Sequence, residues 1–170
     1  MSASYAAGRG FTLTRRFDAP PELVFEAWTD PDGLDWFFNP GMPHDGPATV
    51  DLRVGGEWRL HMVVNATTQY MTGGVYREIV PNRKLVFSWG ARDGWPALDL
   101  ARLDDSPLAT VLLTPVGRQT EMVFHLQLPD QMAEAAVRDW LATGMQNGWG
   151  ITIDRLVTRL AERPGTQPAR

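Results

Sequence analysis

Three histidines are the side chains best suited to acid–base chemistry or metal binding, and they stand far apart at His44, His61 and His125. Imidazole is a common zinc ligand, but zinc sites usually combine ligands at short helical or hairpin spacings. His61 and His125 fall on the polar phase of predicted strands whose alternate positions are apolar, and His44 falls in a predicted loop. We therefore predict structural roles for the histidines, with no metal site and no catalytic residue.

Other chemistries find little support in the sequence. The chain has no cysteine, which removes disulfides, thiolate ligands and a cysteine nucleophile. Gly8-Arg9-Gly10 precedes a strand rather than a helix, unlike a phosphate-binding loop. No serine stands in a Gly-x-Ser-x-Gly turn, and the pair Asp104-Asp105 is expected on a loop surface. The sequence shows neither a catalytic constellation nor a cofactor motif.

Charge and composition restrict the possible partners. The 170 residues include 16 basic and 20 acidic side chains, for a formal charge of −4, and the basic residues form no run. Nucleic-acid binding normally needs a concentrated positive surface. No segment approaches the ~20 apolar residues of a membrane span, and the first ten residues lack the apolar core of a signal peptide. We expect a soluble, cytoplasmic protein with neither a nucleic-acid nor a membrane partner.

Aromatic residues and methionines indicate a different kind of site. Four of the seven tryptophans lie on apolar phases of predicted elements and are expected first of all in the core. Trp36, Phe38 and Trp95 fall in loops or short helices that we expect near a cavity mouth. A cavity with aromatic walls and few polar groups suits an apolar or aromatic small molecule. The predicted binding residues are Trp36, Phe38, Trp58, Met62, Trp89, Trp95, Met145, Gly148, Trp149 and Ile153.

One long helix must position part of this set. Apolar residues recur at steps of three and four, the period of one helical face: Met145, Trp149, Ile153, Leu156, Val157 and Leu160. The pattern predicts a helix over residues 146–162 that ends before Pro164-Gly165. At 1.5 Å per residue it would extend about 25 Å, enough to cross a small domain.

Glycines in and beside this helix need an explanation. Gly144, Gly148 and Gly150 each disfavour a helix by about 1 kcal/mol relative to alanine. Either the helix approaches the rest of the domain very closely at these positions, or side-chain volume is withheld to leave a cavity. Both explanations stay open.

Before the helix, apolar and polar residues alternate with the period of two that is typical of strands. A first strand over 11–17 carries Arg15 on its apolar phase, where we expect a partly buried structural cation. Two short helices follow, and then six strands in a meander, over 50–54, 58–64, 69–80, 84–89, 109–114 and 121–128. Gly55-Gly56 is predicted as a two-residue hairpin turn and Gly73-Gly74 as a bulge or close backbone approach.

Short turns make neighbouring strands antiparallel, and such a sheet can bury its apolar face by curving around the long helix. This pattern predicts an α+β fold in which the sheet grips the helix.

Several segments, in this order, resemble a known family. They are Arg15 to Pro20, Val24 to Pro31, Trp36-Phe37, Asp51 to Arg59, Gly74 to Ile79, Lys84 to Trp89, Gly144-Met145, Gly148-Trp149 and Asp154 to Leu156. Together they cover residues 11–162. The sequence is similar to the bacterial relatives of the activator of Hsp90 ATPase, within the START-like superfamily of Bet v 1-like and polyketide cyclase-like proteins.

This resemblance implies a helix-grip fold: a curved seven-stranded antiparallel sheet around a long C-terminal helix, with two short helices between the first two strands and a cavity beside the helix. We expect one domain over 10–163, with disordered tails at 1–9 and 164–170. The connection over 90–108 is longer than in the family pattern, and it fits either a lid or a passive insertion.

The resemblance specifies the function of the protein less closely than it specifies the fold. Superfamily members bind lipids, hormones or polyketides, some are cyclases or dehydratases, and the namesake stimulates a chaperone ATPase. We interpret this chain first as a binding domain for a hydrophobic or aromatic small molecule. A cyclase or dehydratase would need an acid–base pair in the cavity. A chaperone-binding module is the other alternative, although eukaryotic activators carry a further domain ahead of this one, and a homodimer is left open.

Overall fold

The computed structural model describes residues 8–38, 48–92 and 96–162. The strands are β1 (Gly10–Phe17), β2 (Thr49–Val50), β3 (Glu57–Asn65), β4 (Thr68–Val80), β5 (Lys84–Arg92), β6 (Leu108–Val116) and β7 (Gln119–Gln127). The helices are α1 (Pro21–Thr29), α2 (Glu134–Leu141) and α3 (Met145–Ala161). The predictions for His44, for Trp95 and for most of both tails lie outside the described residues.

One sheet contains these seven strands, in the order β1-β7-β6-β5-β4-β3-β2, and every neighbouring pair is antiparallel. Strands β2 to β7 follow each other as a meander, and β1 joins the far edge beside β7. The chain therefore crosses from one edge of the sheet to the other between β1 and β2. The α+β helix-grip prediction is confirmed.

The crossing between β1 and β2 carries the predicted short helices. Helix α1 begins at Pro21, whose missing N–H is not needed in a first helical turn, and Glu22 lies near its positive end. Two 3₁₀ turns follow, at Pro31–Gly33 and Asp35–Phe37. They replace the single short helix that the sequence predicted over 32–37.

The concave face of the sheet forms the core. Alternate residues of a strand point to one face, and on β3 and β7 the inward set is almost fully buried: Trp58, Leu60, Met62, Met122, Phe124 and Leu126. Helix α3 lies on this face and buries Met145, Trp149, Gly150, Ile153, Leu156 and Leu160. The predicted apolar face of the helix is thus the face that meets the sheet.

Arg15 also points toward α3, as its position on the apolar phase of β1 requires. Its Nε lies 2.7 Å from Asp154 Oδ1, so an ion pair joins the first strand to the last helix. Next to it, a Cβ atom on Gly150 would lie 3.5 Å from Arg15 Nη2 and 4.0 Å from Leu13 Cδ1. These are ordinary van der Waals distances, so Gly150 packs beside β1 without an approach so close that it would require glycine.

Strands β2 and β3 form the predicted antiparallel hairpin, but the predicted two-residue turn at Gly55-Gly56 is wrong. Strand β2 ends at Val50, which pairs with Trp58, so residues 51–56 form a six-residue connection. The reason is that these glycines bond to β4 instead: Gly55 N–H donates to Tyr76 O at 2.8 Å, and Tyr76 N–H donates to Gly56 O at 2.9 Å. Leu52 and Val54, predicted to lie in the strand, are 44% and 63% exposed.

Gly74 in β4 provides the predicted close approach. It pairs with Trp58 on β3 and with Trp89 on β5, and directly opposed residues of antiparallel strands share a face. A Cβ atom on Gly74 would lie 2.6 Å from Trp58 Nε1 and 2.8 Å from Ser88 O. The glycine therefore makes room for the Trp58 indole and for the Phe87 ring, whose Cδ2 would lie 2.9 Å from the same Cβ. The bulge itself lies further along β4, at Arg77.

The long connection after β5 lies beside that strand over its described part, and Ala97 forms a parallel bridge with Ala91. Ala91 N–H donates to Pro96 O at 2.7 Å, and Leu98 N–H donates to Ala91 O at 3.2 Å. Trp89 N–H donates to Pro107 O at 2.9 Å. Residues 96–107 are thus tied by backbone hydrogen bonds to the edge of β5.

His125 lies on the opposite face of the sheet from the core, yet it is only 5% exposed. Its Nδ1 lies 2.7 Å from Thr12 Oγ1, and its Nε2 lies 2.7 Å from Gln127 Oε1. Burial lowers the pKa of this imidazole, and the hydrogen bond to Gln127 opposes the shift. The neutral ring is part of the packing, as predicted for the histidines.

We predict that Gly74→Ala destabilises the domain. The added methyl meets the Ser88 carbonyl oxygen, which cannot move without disturbing the β4–β5 ladder, and overpacking costs about 1–3 kcal/mol. Chemical denaturation measures the loss. Gly148→Ala is the matched control, because no atom lies within 4 Å of its added Cβ. Equal stability of the two variants would contradict the close approach at Gly74.

We also predict a pH dependence of stability that arises from His125. Its pKa is lower in the folded chain than in the unfolded chain, where histidine has a pKa of about 6.5. The unfolded chain therefore binds more protons below this pH, and stability declines as the pH falls through the window beneath about 6.5. Denaturation of the protein and of His125→Gln between about pH 7.5 and 5.5 tests this window. The variant should show the flatter slope, and parallel slopes would refute the assignment.

Candidate functional site

Aromatic side chains fill most of the space between the sheet and α3. The Trp149 ring lies 4.6 Å from Phe124 and the Trp28 ring 6.1 Å from Phe124, measured between centroids. Trp58 and Phe87 meet edge to face at 5.3 Å. The gap that remains around Trp28, Trp58 and Phe87 is too narrow for a water molecule. The middle of the domain is therefore packed core rather than a deep cavity.

A cavity of about 480 Å³ lies at the N-terminal end of α3. Its lining comes from β3, β4 and β5, from the Asp35–Phe37 turn and from the start of α3: Phe37, Met62, Tyr70, Thr72, Trp89, Thr143, Gly144, Met145, Gly148, Trp149, Ile151, Thr152 and Arg155. Binding sites for small molecules usually measure about 300–1,000 Å³. This cavity is large enough for such a ligand.

The sheet wall of the cavity is held by cross-strand pairing. Met62 and Tyr70 are direct partners in the β3–β4 ladder, which sets both side chains on the concave face. On the next strand Trp89 Nε1–H donates to Thr72 Oγ1 at 3.3 Å. The Trp89 ring meets Trp149 of α3 edge to face at 5.2 Å. Two indoles thus join the sheet wall to the helix wall.

The first turns of α3 form the other wall of the cavity, and this wall has an open space in front of Gly148. Met145, Trp149 and Thr152 project from one side of α3 at steps of four and three residues. Between them, a Cβ atom on Gly148 would meet nothing within 4 Å, so the space before this residue is clear. Gly144 precedes the helix with φ of 93°, a left-handed conformation that glycine adopts readily. Gly148 is exposed at the edge of the cavity, which agrees with the cavity explanation, and Gly144 meets a backbone requirement.

Arg155 brings a positive charge to the cavity. Its Nε donates to Trp36 O at 2.9 Å, and its Nη2 donates to Phe37 O at 3.1 Å and to Thr152 Oγ1 at 3.4 Å. These bonds fix the Asp35–Phe37 turn against α3. Burial lowers the pKa of Arg155, although an arginine keeps its proton at neutral pH.

Burial also affects two other polar groups near the cavity, the Tyr70 phenol and the Trp149 indole N–H. Desolvation raises the pKa of Tyr70, so its phenol is neutral at physiological pH. The Trp149 indole N–H is buried and has no acceptor among the described residues. The Trp149 N–H therefore does not face the open space of the cavity, and the donors that line it include the Arg155 guanidinium and the Tyr70 phenol.

Five of the predicted binding residues line this cavity: Met62, Trp89, Met145, Gly148 and Trp149. Trp58 and Ile153 lie in the core instead, because they stand deeper under the helix. Phe38 is partly buried against the core and is not part of the lining. Trp95 lies outside the described residues.

Trp36 does not lie at the cavity mouth, where the sequence placed it. It is 4% exposed, its ring meets Trp28 at 4.9 Å, and its Nε1–H donates to Ala27 O at 2.8 Å. The Asp35–Phe37 turn directs this side chain into the core. The location of Trp36 in a short segment between strands therefore did not indicate a place at the cavity mouth.

Sequence reasoning missed Phe37, Tyr70 and Arg155. Tyr70 had a usable signal, since it shares a phase of β4 with Thr72 and Gly74 on the concave face. Arg155 had none, because it falls on the polar side of α3 in the helical pattern. Its role depends on the Asp35–Phe37 turn, which approaches α3 only in the folded chain.

A larger groove, of about 590 Å³, lies between α1 and the C-terminal half of α3. Charged side chains dominate it: Glu26, Asp30, Asp32, Arg155, Arg159 and Glu162. Arg159 is already bonded to Gly33 O and paired with Asp35. This groove suits an apolar ligand less well than the cavity does.

Metal ligands and membrane-spanning helices are the remaining features that bear on function in the described part of the chain. It holds no group of three or more histidine, aspartate or glutamate side chains placed to bind a metal ion. No helix in it is long and apolar enough to cross a membrane.

A curved antiparallel sheet around a C-terminal helix, with a cavity at one end of that helix, defines a helix-grip domain of the START-like type. The sequence profile described as "Activator of Hsp90 ATPase homolog 1-like protein" matches residues 18–161, and the chain belongs to this family. No curated protein matches the sequence.

Solved bacterial structures share the fold. Protein NE0264 from Nitrosomonas europaea is 23% identical with a TM-score of 0.73, over 92% of this chain and 97% of that one. A protein from Arthrobacter aurescens is 23% identical with a TM-score of 0.74, over 96% and 92%. CalU16 from Micromonospora echinospora is 20% identical with a TM-score of 0.58, over 90% and 76%. At these identities the likeness establishes the fold alone.

We predict that Trp149→Ala lowers the free energy of unfolding by about 3–5 kcal/mol, as for other large aromatic truncations in cores. The ring is 5% exposed and contacts Phe37, Trp89 and Phe124, so its loss leaves a large void. Equilibrium denaturation measures the change. Ile151→Ala, at a 54% exposed position of the same helix, should have little effect. Similar small losses in both variants would show that Trp149 does not anchor the helix.

Proposed function

We propose that this domain binds a small apolar or aromatic molecule in the cavity at the N-terminal end of α3. The family and the fold favour a ligand-binding role, and the cavity has the size and the aromatic lining that such a ligand requires. The observation that carries the proposal is the clear space before Gly148, directly beside Trp149. A helical glycine at this position is disfavoured by about 1 kcal/mol relative to alanine, and room for a ligand would explain it.

An enzymatic role on the same cavity has less support. A cyclase or dehydratase needs a general acid and a general base within reach of the substrate. The described lining contains no aspartate, glutamate or histidine. Tyr70 has a raised pKa, which makes its phenol a poor base at neutral pH. A chaperone-binding role is suggested by the family name, and no surface feature among the described residues favours it.

Binding of a neutral apolar fluorophore, N-phenyl-1-naphthylamine, tests the proposal. The probe should gain fluorescence when it enters the cavity, and it should quench tryptophan emission because Trp89 and Trp149 line the walls. Native mass spectrometry of freshly purified protein would show a ligand that copurifies. A parent protein that neither binds the probe nor carries a ligand would refute the proposal.

We predict that Gly148→Leu fills part of the cavity without unfolding the domain. The substitution gains up to about 1 kcal/mol of helix propensity and meets no atom at its Cβ. Probe affinity should fall by about tenfold or more, which corresponds to about 1.4 kcal/mol. Asn147→Leu is the matched control, because this exposed neighbour on α3 does not line the cavity. If both variants bind the probe as the parent does, the site lies elsewhere.

A further inference from the structure

We infer that the ligand of this cavity is an amphipathic organic anion, with an apolar body against the two indoles and a carboxylate or similar acidic group at Arg155. This inference rests on the proposed function of the cavity. It adds a chemical class to the ligand and gives a recognition role to Arg155.

The guanidinium of Arg155 has donor capacity to spare. An arginine carries five N–H donors. The hydrogen bonds of Arg155 use Nε and Nη2, whereas Nη1 has no acceptor among the described residues. All its acceptors are neutral oxygens, two backbone carbonyls and one hydroxyl, and no carboxylate among the described residues pairs with it. A ligand carboxylate could therefore accept from a group that is already held in place.

Arg159, one turn further along α3, provides an internal comparison. It also donates to a backbone carbonyl, Gly33 O at 2.7 Å, but in addition it pairs with the Asp35 carboxylate. Arg15, on the strand beside α3, pairs with Asp154 at 2.7 Å. Arg155 is partly buried and forms no ion pair within the described chain, although it also borders the charged groove that contains Glu26 and Asp30. An unpaired charge in a partly desolvated position is unfavourable, and a bound anion would relieve it.

The other polar groups of the cavity agree with an anionic ligand. No described lining residue carries a negative charge that would repel a carboxylate. Charge-assisted bonds from arginine to a carboxylate are among the stronger hydrogen bonds in proteins, and they supply orientation as well as affinity.

A matched pair of ligands tests the inference. Decanoate and decan-1-ol have the same chain and differ in charge, and each can displace N-phenyl-1-naphthylamine from the full-length protein. We expect decanoate to bind at least about tenfold more tightly than decanol at neutral pH. Arg155→Gln should abolish this preference, and the readout is the ratio of the two affinities, because Arg155 also holds Phe37 of the lining. Arg159→Gln, which removes an arginine outside the cavity, should retain the preference.

The outcomes separate this inference from the proposed function. If the probe binds and both ligands displace it equally, the cavity binds apolar molecules and the inference about charge is wrong. If the probe binds and decanoate does not displace it, the inference is likewise overturned. If the probe does not bind and no ligand copurifies, the proposed function fails, and the inference fails with it.

Two measurements guard against a folding defect, because Arg155 also holds the Asp35–Phe37 turn. Arg155→Lys retains the charge and should keep part of the preference for decanoate. In the parent protein, affinity for decanoate should fall as acidification protonates the ligand, whereas affinity for decanol should not follow that titration. If the parent protein still prefers decanoate to decanol after the carboxylate has been protonated, the inference is overturned. This test requires no variant.

Discussion

The burial of Trp149 against three separate parts of the chain is the interaction on which the rest of the structure depends. Its ring contacts Phe37 from the crossing segment, Trp89 from β5 and Phe124 from β7. An antiparallel sheet with one apolar face is stable only when that face is covered, and α3 is the cover. Because apolar burial contributes about 25 cal/mol per Å², the largest side chain at this junction contributes most to holding the helix in place.

Polar contacts determine how the helix sits once it is buried. The Arg15–Asp154 pair ties α3 to β1, and Arg155 ties it to the carbonyls of Trp36 and Phe37. Both arginines are at least partly exposed, so their main effect is to select one position of the helix rather than to supply much stability. The same position leaves the N-terminal end of α3 apart from β4 and β5. The cavity is therefore a consequence of how the helix is fixed, and Gly148 keeps it open.

The sequence predicted the periodic features well, since they depend on neighbours along the chain. The strand pattern, the amphipathic helix and the close approach at Gly74 were all readable from local alternation and from paired glycines. The Gly55-Gly56 turn was misread for a physical reason. Glycine permits several tight turns, and a hydrogen bond to Tyr76 on a distant strand selected one that local sequence does not specify. Trp36 was misplaced for the same reason, since its inward direction depends on Trp28 and the Ala27 carbonyl.

The sequence by itself thus determined the fold class, the face of α3 that is buried and the aromatic character of the space beside that helix. These follow from periodicity and composition, which act over a few residues. The tertiary structure decided which aromatic residues fill the core and which line the cavity. It also brought Tyr70 and Arg155 to one space from β4 and α3, which lie far apart in the chain. Which residues line the cavity depends on the register of the strands and on the path of the chain between β1 and β2. Neither is encoded in a local sequence pattern.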